Sequence, residues 1–294
     1  MPELPEVETI RRGLAEHAEN REVTAVEGLG GRLVRNNPGG MRDLQALAGQ
    51  KITRVRRRGK YMWMGFAELP ESLVIHLGMS GQVHVHAPQP GGNPPPFRKH
   101  EHARLTLENR TVISFVDTRT FGELTVSRRV VDAEGEAVPE RLFRVAKDPL
   151  EVADLNYFVQ RFKKTMRPVK TVLMDQAIVS GVGNIYADEA LHAARIHGAV
   201  PAASLSTQQV LSVLEEARSV MRRAIEVGGT SFDEYYVDVE GNPGYFERSL
   251  AVYGRGGQPC SNCGASLLKQ VVQGRSHYYC PACQVPPEPL TPRP

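Results

Sequence analysis

Residues 260–283 read CSNCGASLLKQVVQGRSHYYCPAC. Cys260, Cys263, Cys280 and Cys283 are the four cysteines of the chain, and they fall as two C-x2-C pairs. That spacing fits a zinc site of four thiolates. Two disulfides are the alternative, and a cytosolic chain disfavours them. With every position filled by sulfur, no coordination site is open to water or substrate, so one structural Zn2+ is predicted. Between the pairs a β-hairpin is predicted, with Arg275 near its tip. From Arg255 to Cys283 there are basic residues (Arg255, Lys269, Arg275) and no acid.

A second uncompensated basic run lies at 51–61, KITRVRRRGKY, again without an acid. A solvated face is the ordinary reading of one such run. Two of them, in a chain of net charge +3, point to an anionic partner such as nucleic acid. The 294 residues suit two domains or one large one, and the 41% hydrophobic content is enough for real cores. No uninterrupted apolar run reaches membrane-spanning length. The start is acidic at Glu3, Glu6 and Glu8 and has no apolar h-region, so a cytoplasmic address is predicted.

The pattern along the chain has three parts. A helix is predicted from Pro5, with Val7, Ile10 and Leu14 on one stripe. Short strands follow at 23–26, 52–55, 61–66, 73–77, 82–86, 103–107, 112–116 and 124–126, which suggests a sandwich or barrel. Residues 87–97, rich in Pro and Gly, read as a loop, and 127–149 as a connector. Helical patterns then take over at 154–162, 184–196 and 206–228. Ser206 or Thr207 is suited to cap the last of these, and Gly228-Gly229 to end it. The tail, QVPPEPLTPRP (284–294), reads as disordered.

The opening stretch MPELPEVETI (1–10) sets proline behind the start methionine and a carboxylate behind the proline. Proline is a common helix starter, and Glu3 and Glu6 suit the positive end of a helix. Alternatively, Met1 is removed and Pro2 exposes a secondary amine. An α-amino group titrates near pH 7.7–8.0, so a useful fraction is neutral and nucleophilic at pH 7.

PELPEVET (2–9), RRGKY (57–61), HLGMSG (76–81), SGVGNIYADE (180–189), GNPGYF (241–246) and the paired cysteines occur in this order. Together they resemble the formamidopyrimidine-DNA glycosylase family, base-excision enzymes for oxidised purines. The resemblance runs from Pro2 to Cys283. It implies an α+β multidomain fold: an N-terminal β-sandwich with a flanking helix, a helix–two-turns–helix domain and a C-terminal zinc ribbon. The corresponding boundaries are 1–128, a linker at 129–150, 151–235, a lesion-recognition loop and connector at 236–254, the zinc finger at 255–284 and the tail at 285–294.

The resemblance also implies roles. Pro2 is the nucleophile, forming an iminium that drives strand scission after base removal. Glu3 is the acid/base, Glu6 supports it, and Lys60 and Arg275 assist the eliminations at the phosphates. A base must leave the stack to be excised, and wedges that fill the vacancy are typically apolar or Arg. Met79, Arg119 and Phe121 are assigned to that void, with Arg119 facing the orphaned base and favouring cytosine. His100, Lys163 or Lys164, and Asn184 match backbone contacts, although helix capping reads Asn184 as well. Arg57 and Arg58 read as phosphate contacts or solvated charge. Thr230 and Ser231 are candidates to donate to a flipped purine.

One motif departs from the commoner family form. DTRTFG (117–122) has Thr120 where a second arginine is usual and Thr118 where proline is usual, which puts one phosphate contact in doubt. The implied partner is double-stranded damaged DNA, met by a monomer without a small-molecule cofactor. Two rivals remain. One is an endonuclease VIII-like enzyme for oxidised pyrimidines, disfavoured by Leu4, where those relatives more often carry glycine. The other is a non-catalytic zinc protein that binds damaged DNA, disfavoured because Pro2, Glu3 and Lys60 are all present.

Overall fold

The computed structural model describes residues 1–88, 96–230 and 237–287. The chain divides into two compact units, Met1–Arg144 with Ala224–Glu247, and Val145–Arg223 with Arg248–Pro294.

The first unit opens with α1 (Leu4–Ala18). Glu3 is its N-cap, and a reciprocal capping box joins Glu3 to Glu6: each side chain accepts the other's backbone N–H. A proline in the first turn supplies no N–H where the helix needs none. Val7, Ile10, Leu14 and Ala18 form the buried stripe. The strands are β1 (Val23–Gly28), β2 (Ile52–Arg58), β3 (Tyr61–Phe66), β4 (Glu71–His76), β5 (Gly81–His86), β6 (Glu101–Leu107), β7 (Val112–Asp117), β8 (Glu123–Val131) and β9 (Ala137–Pro139), with a short α2 (Met41–Gln45) after β1. They build two sheets, in the orders β1-β6-β7-β5 and β2-β3-β4-β8-β9, with every pairing antiparallel. Alternate residues such as Met62, Met64, Leu73, Ile75, Ile113 and Phe115 turn inward and share one core with the stripe of α1. The expected connector at 127–149 is partly strand: β8 runs on to Val131 and pairs with β9.

The basic run is less exposed than its composition suggests. The Arg57 side chain is only 7% exposed; its Nε donates to Glu8 at 3.0 Å. Arg58, 3% exposed, bridges Asp132 and Glu136 at 2.9 Å each. The acids come from α1 and from the turn before β9, so neither arginine is the solvated charge or the phosphate contact expected from sequence.

In the second unit α3 (Asn156–Lys163), α4 (Val169–Leu173), α5 (Asn184–Ala193) and the first turns of α6 (Thr207–Glu226) surround a separate core. Of α5, Ile185 through His192 are all buried, as befits a helix covered on every side. Ser206 caps α6 by accepting the Gln209 N–H at 3.1 Å, and Gln209 returns the bond to Ser206 N–H at 2.8 Å. Beyond the helix, Gly228 and Gly229 both take positive φ, 80° and 83°. The predicted hairpin is β10 (Leu268–Val272) with β11 (Arg275–Tyr279). Gln273 and Gly274, both at positive φ, make its two-residue turn.

Glu8 ties α1 to β2. Burial alone would raise its pKa, but the Arg11 hydrogen bond, the charges of Arg57 and Arg11 and the Arg12 hydrogen bond hold it down at about 2. Below pH 4.5 the unfolded chain takes up a proton that the folded chain refuses, so this contribution is full above pH 4.5 and disappears as pH falls toward 2. After allowance for solvent screening it is about 2 kcal/mol. Glu8→Gln should flatten the denaturant midpoint over that window and leave its slope at neutral pH unchanged.

Candidate active site and nucleic-acid interface

At the N-terminus, Met1 is 49% exposed while Pro2 and every residue to Val7 are buried. Glu3 is 3% exposed and Glu6 5%. Glu6 Oε2 accepts the Glu3 N–H at 2.9 Å. Its Oε1 accepts both the N–H and the hydroxyl of Thr230, at 2.8 and 3.0 Å. Thr230 therefore has both donors engaged inside the protein and is 1% exposed, so it is not the purine donor expected from sequence. Ser231 lies outside the described residues.

Lys60 stands in the tight β2–β3 turn after Gly59, whose φ of 55° the turn requires. It is 5% exposed, unlike an ordinary turn lysine. Near it His76 is held neutral, its pKa pushed down to about 4 by burial, with Glu123 acting against this and the Lys60 charge reinforcing it. His76 Nδ1 accepts the Gly78 N–H at 3.2 Å and so orients the following turn.

Two loops carry the candidate wedge. Gly78 has φ +63°, and a Cβ there would lie 2.5 Å from the Phe121 carbonyl carbon, so the backbones of HLGMSG and DTRTFG are in direct contact. Asp117, 1% exposed, organises the second loop. Its Oδ1 accepts the Ser80 hydroxyl at 2.5 Å and the Arg119 N–H at 3.1 Å; its Oδ2 accepts the Gly122 N–H at 2.7 Å. Arg35 donates to the Gly122 carbonyl at 2.7 Å. Thr120 takes φ +55°, a left-handed conformation unusual for a β-branched residue. From this frame Met79 and Phe121 project, each 39% exposed, with the Arg119 guanidinium 5.8 Å from the Phe121 ring. His100 is exposed before β6 with φ +65°. Asp117, Ser80 and His76 stood inside quoted motifs, but nothing in their local sequence separates a clamp from an ordinary strand end.

In the second unit the two lysine candidates differ. Lys163 Nζ donates to the Leu205 carbonyl, whereas Lys164 is exposed at the end of α3. Gly183, not Asn184, is the N-cap of α5, so the capping reading of Asn184 fails. Its amide instead donates to the Ser276 hydroxyl at 3.0 Å, next to Arg275. Arg275 is exposed at the start of β11, as the hairpin reading expected.

Sequence reasoning missed what holds that hairpin. Asp188 on α5 is fully buried; its Oδ1 meets Lys170 Nζ at 2.7 Å and His277 Nδ1 at 2.6 Å, and its Oδ2 accepts the Tyr278 N–H at 2.9 Å. The Gly198 N–H donates to His277 Nε2 at 3.0 Å, which leaves the ring proton on Nδ1, facing Asp188. No short-range signal links Lys170, Asp188 and His277.

The four cysteine sulfurs all lie within 4.8 Å of one another. A tetrahedron of thiolates about 2.3 Å from zinc has edges of about 3.8 Å, so the cluster fits one zinc ion. His192 on α5 places Nε2 3.5 Å from Cys260 Sγ, a neighbour suited to stabilise a thiolate. Among the described residues no helix is long and apolar enough to cross a membrane.

Comparison with known proteins agrees with this arrangement. The family model for the formamidopyrimidine-DNA glycosylase N-terminal domain matches residues 1–124, that for the H2TH domain of the same enzyme residues 145–235, and that for a zinc finger found in FPG and IleRS residues 257–285. The chain is 45% identical to the formamidopyrimidine-DNA glycosylase of Nocardia farcinica, covering 98% of this chain and 99% of that protein. It is likewise 45% identical to the enzyme of Acidothermus cellulolyticus, covering 98% of each. Among solved structures, MutM (Fpg) of Thermus thermophilus superimposes with a TM-score of 0.79 at 36% identity, covering 96% of this chain and 98% of that one. A Lactococcus lactis Fpg mutant bound to Fapy-dG-containing DNA superimposes at 0.81 with 28% identity, covering 97% and 100%. A buried proline and carboxylate at positions 2 and 3, two clamped loops bearing Met79, Arg119 and Phe121, a hairpin with Arg275 beside its turn and a four-cysteine cluster suited to zinc thus occur in a chain that belongs to the formamidopyrimidine-DNA glycosylase family of zinc-finger DNA-repair enzymes.

Proposed function

We propose that this chain is a bifunctional DNA glycosylase and AP lyase that removes oxidised purines, 8-oxoguanine and formamidopyrimidines, from duplex DNA through an iminium on Pro2. The observation that carries the reading is the position of Glu3. Its carboxylate is one residue from Pro2, buried, and fixed by the first turn of α1.

With Met1 removed, the neutral Pro2 nitrogen attacks C1′ of the damaged nucleotide. The C1′–N bond breaks, and the base leaves with its electron pair. Glu3 supplies a proton as the sugar ring opens. The resulting iminium draws electrons from C2′, so loss of a C2′ proton expels the 3′ phosphate, and a second elimination expels the 5′ phosphate. The ammonium of Lys60 and the guanidinium of Arg275 are assigned to the phosphates whose leaving they ease. The exposure of Met1 beside buried Pro2 supports access for the aminopeptidase that must act first. Met79, Arg119 and Phe121 fill the vacancy left by the flipped base, with Arg119 set against cytosine. His100, Lys164 and Asn184 hold backbone phosphates. The address is cytoplasmic.

Borohydride added to the protein with a duplex carrying 8-oxoguanine opposite cytosine should trap a covalent protein–DNA adduct, seen on a denaturing gel. A preparation retaining Met1 should give none. An adduct of equal yield with Met1 in place would remove Pro2 from the reaction, and trapping only with oxidised pyrimidines would move the substrate class. Glu3→Gln should lower single-turnover base release by about 10²–10⁴-fold. Gly78→Ala forces a Cβ against the Phe121 backbone at a positive φ. It should lower stability by about 1–3 kcal/mol and impair excision from duplex more than adduct formation on a single-stranded abasic oligonucleotide.

A further inference from the structure

The outer face of the five-stranded sheet carries a constellation that the reaction above does not use. On β3, Met62, Met64 and Phe66 face the core, so Trp63 and Gly65 face outward. Arg54 pairs with Gly65, and Gly65 with Ser72; Arg56 pairs with Trp63. Together with Arg129 these residues enclose a pocket of about 130 Å³.

Three features mark it as a site rather than a surface irregularity. The first is Gly65. It stands opposite the bulge that β2 makes between Ile52 and Arg54, and with no side chain it leaves the outer face open there. A Cβ there would point into the pocket, 3.3 Å from Thr53 Oγ1 and 4.0 Å from Arg129 Nη1. The second is Ser72. It is fully buried and lines the pocket, and its hydroxyl has no hydrogen-bond partner. A buried hydroxyl left unpaired is unfavourable, which suggests that a ligand completes it.

The third is charge. Arg57 and Arg58 are held by acids at 3.0 Å or closer, whereas of the pocket arginines only Arg54 meets an acid, and that at longer range. Arg54 is 72% exposed and reaches only Glu19, at 3.7 Å. Arg129 donates to the Leu69 and Pro70 carbonyls, which are neutral. Arg56 is exposed and, among the described residues, has no acid against it. Three arginines lining one pocket with Ser72 suit a multiply charged oxyanion better than a single carboxylate. Trp63 adds an apolar wall beside them.

We infer that this pocket binds a phosphate group, either on a free nucleotide or in a nucleic-acid strand lying across the back of the sheet. Ser72 donates to one phosphate oxygen, and Arg54, Arg56 and Arg129 neutralise the others. The site is independent of the Pro2 chemistry.

Trp63 is the single tryptophan of the chain, so intrinsic fluorescence reports on this pocket directly. The zinc-loaded full chain would be titrated with inorganic phosphate, with dAMP and with a short undamaged single-stranded oligonucleotide. A saturable change in emission is expected. It should weaken at least tenfold in Arg56→Gln and in Ser72→Ala, while both variants excise damaged bases at the unaltered rate. Tighter binding of dAMP than of the oligonucleotide would identify free nucleotide as the source, and the reverse order a strand. Emission unmoved by all three at millimolar concentration would overturn the proposal. So would a response undiminished in both variants.

Discussion

The Glu6 carboxylate is the constraint on which the candidate active site depends. It joins the third residue of the chain to one that follows 224 positions after Glu6 itself, by accepting the Glu3 N–H with one oxygen and both donors of Thr230 with the other. Chain termini ordinarily fray. The proposed use of the Pro2 amine as a nucleophile requires that it be held within a fraction of an ångström of its target. Helix propensity does not supply that, because the first turn of any helix has unsatisfied N–H groups and is its loosest part. Glu6 supplies it with bonds to a charged acceptor, worth about 1.5–3 kcal/mol each. The approach is possible because Gly229 sits at φ +83°; a Cβ there would lie 2.8 Å from Glu6 Oε1.

The same logic sorts the cations. A chain of net charge +3 with arginine-rich segments invites the reading that its arginines face DNA. The structure divides them by what lies opposite. Arg57, Arg58, Arg104 and Lys170 each meet a carboxylate at 3.0 Å or closer and are nearly buried. Taking such charges out of water is expensive unless a partner and further hydrogen bonds compensate, so these residues fix geometry and are not available to an incoming phosphate. Arg119, Lys164 and Arg275, by contrast, are exposed on loop, helix-end and hairpin-tip positions, open to a partner without the breaking of a buried pair. Salt should therefore weaken DNA binding through the second group while leaving the fold's own ion pairs largely intact.

Much of this was legible in the sequence. The α1 stripe, eight of the strands, the Ser206 cap and the zinc hairpin all follow from local rules of period, capping and spacing. The cysteine pattern is local enough to name its metal. What could not be read was long-range. Arg57 looks like surface charge in RRRGKY because its acid, Glu8, is on another element. Thr230 looks like a donor to a ligand because Glu6 is far away in sequence. The anchoring of Arg275 runs through Lys170, Asp188 and His277, three residues from three elements with no shared motif. Strand β9 was missed because a three-residue edge strand has too little pattern to see.

The loops proposed as the wedge show why the buried part of a site matters more than the part proposed to meet DNA. Met79 and Phe121 are exposed apolar side chains, and by themselves they would fold back onto the surface to escape water. They stay out because their backbones are over-determined: Asp117 accepts three bonds from Ser80, Arg119 and Gly122, His76 holds Gly78, and Arg35 holds Gly122. Unstacking a base pair costs a few kcal/mol, and a wedge that had first to order itself would add that entropy to the same barrier. A rigid loop has met this cost during folding. The replacement of the usual second arginine by Thr120 fits the same view. A residue at φ +55° contributes to the shape of the turn, and that shape is kept by Asp117 and its hydrogen bonds whichever side chain stands there. The substitution thus removes one cation from the rim and leaves the projection of Met79, Arg119 and Phe121 in place.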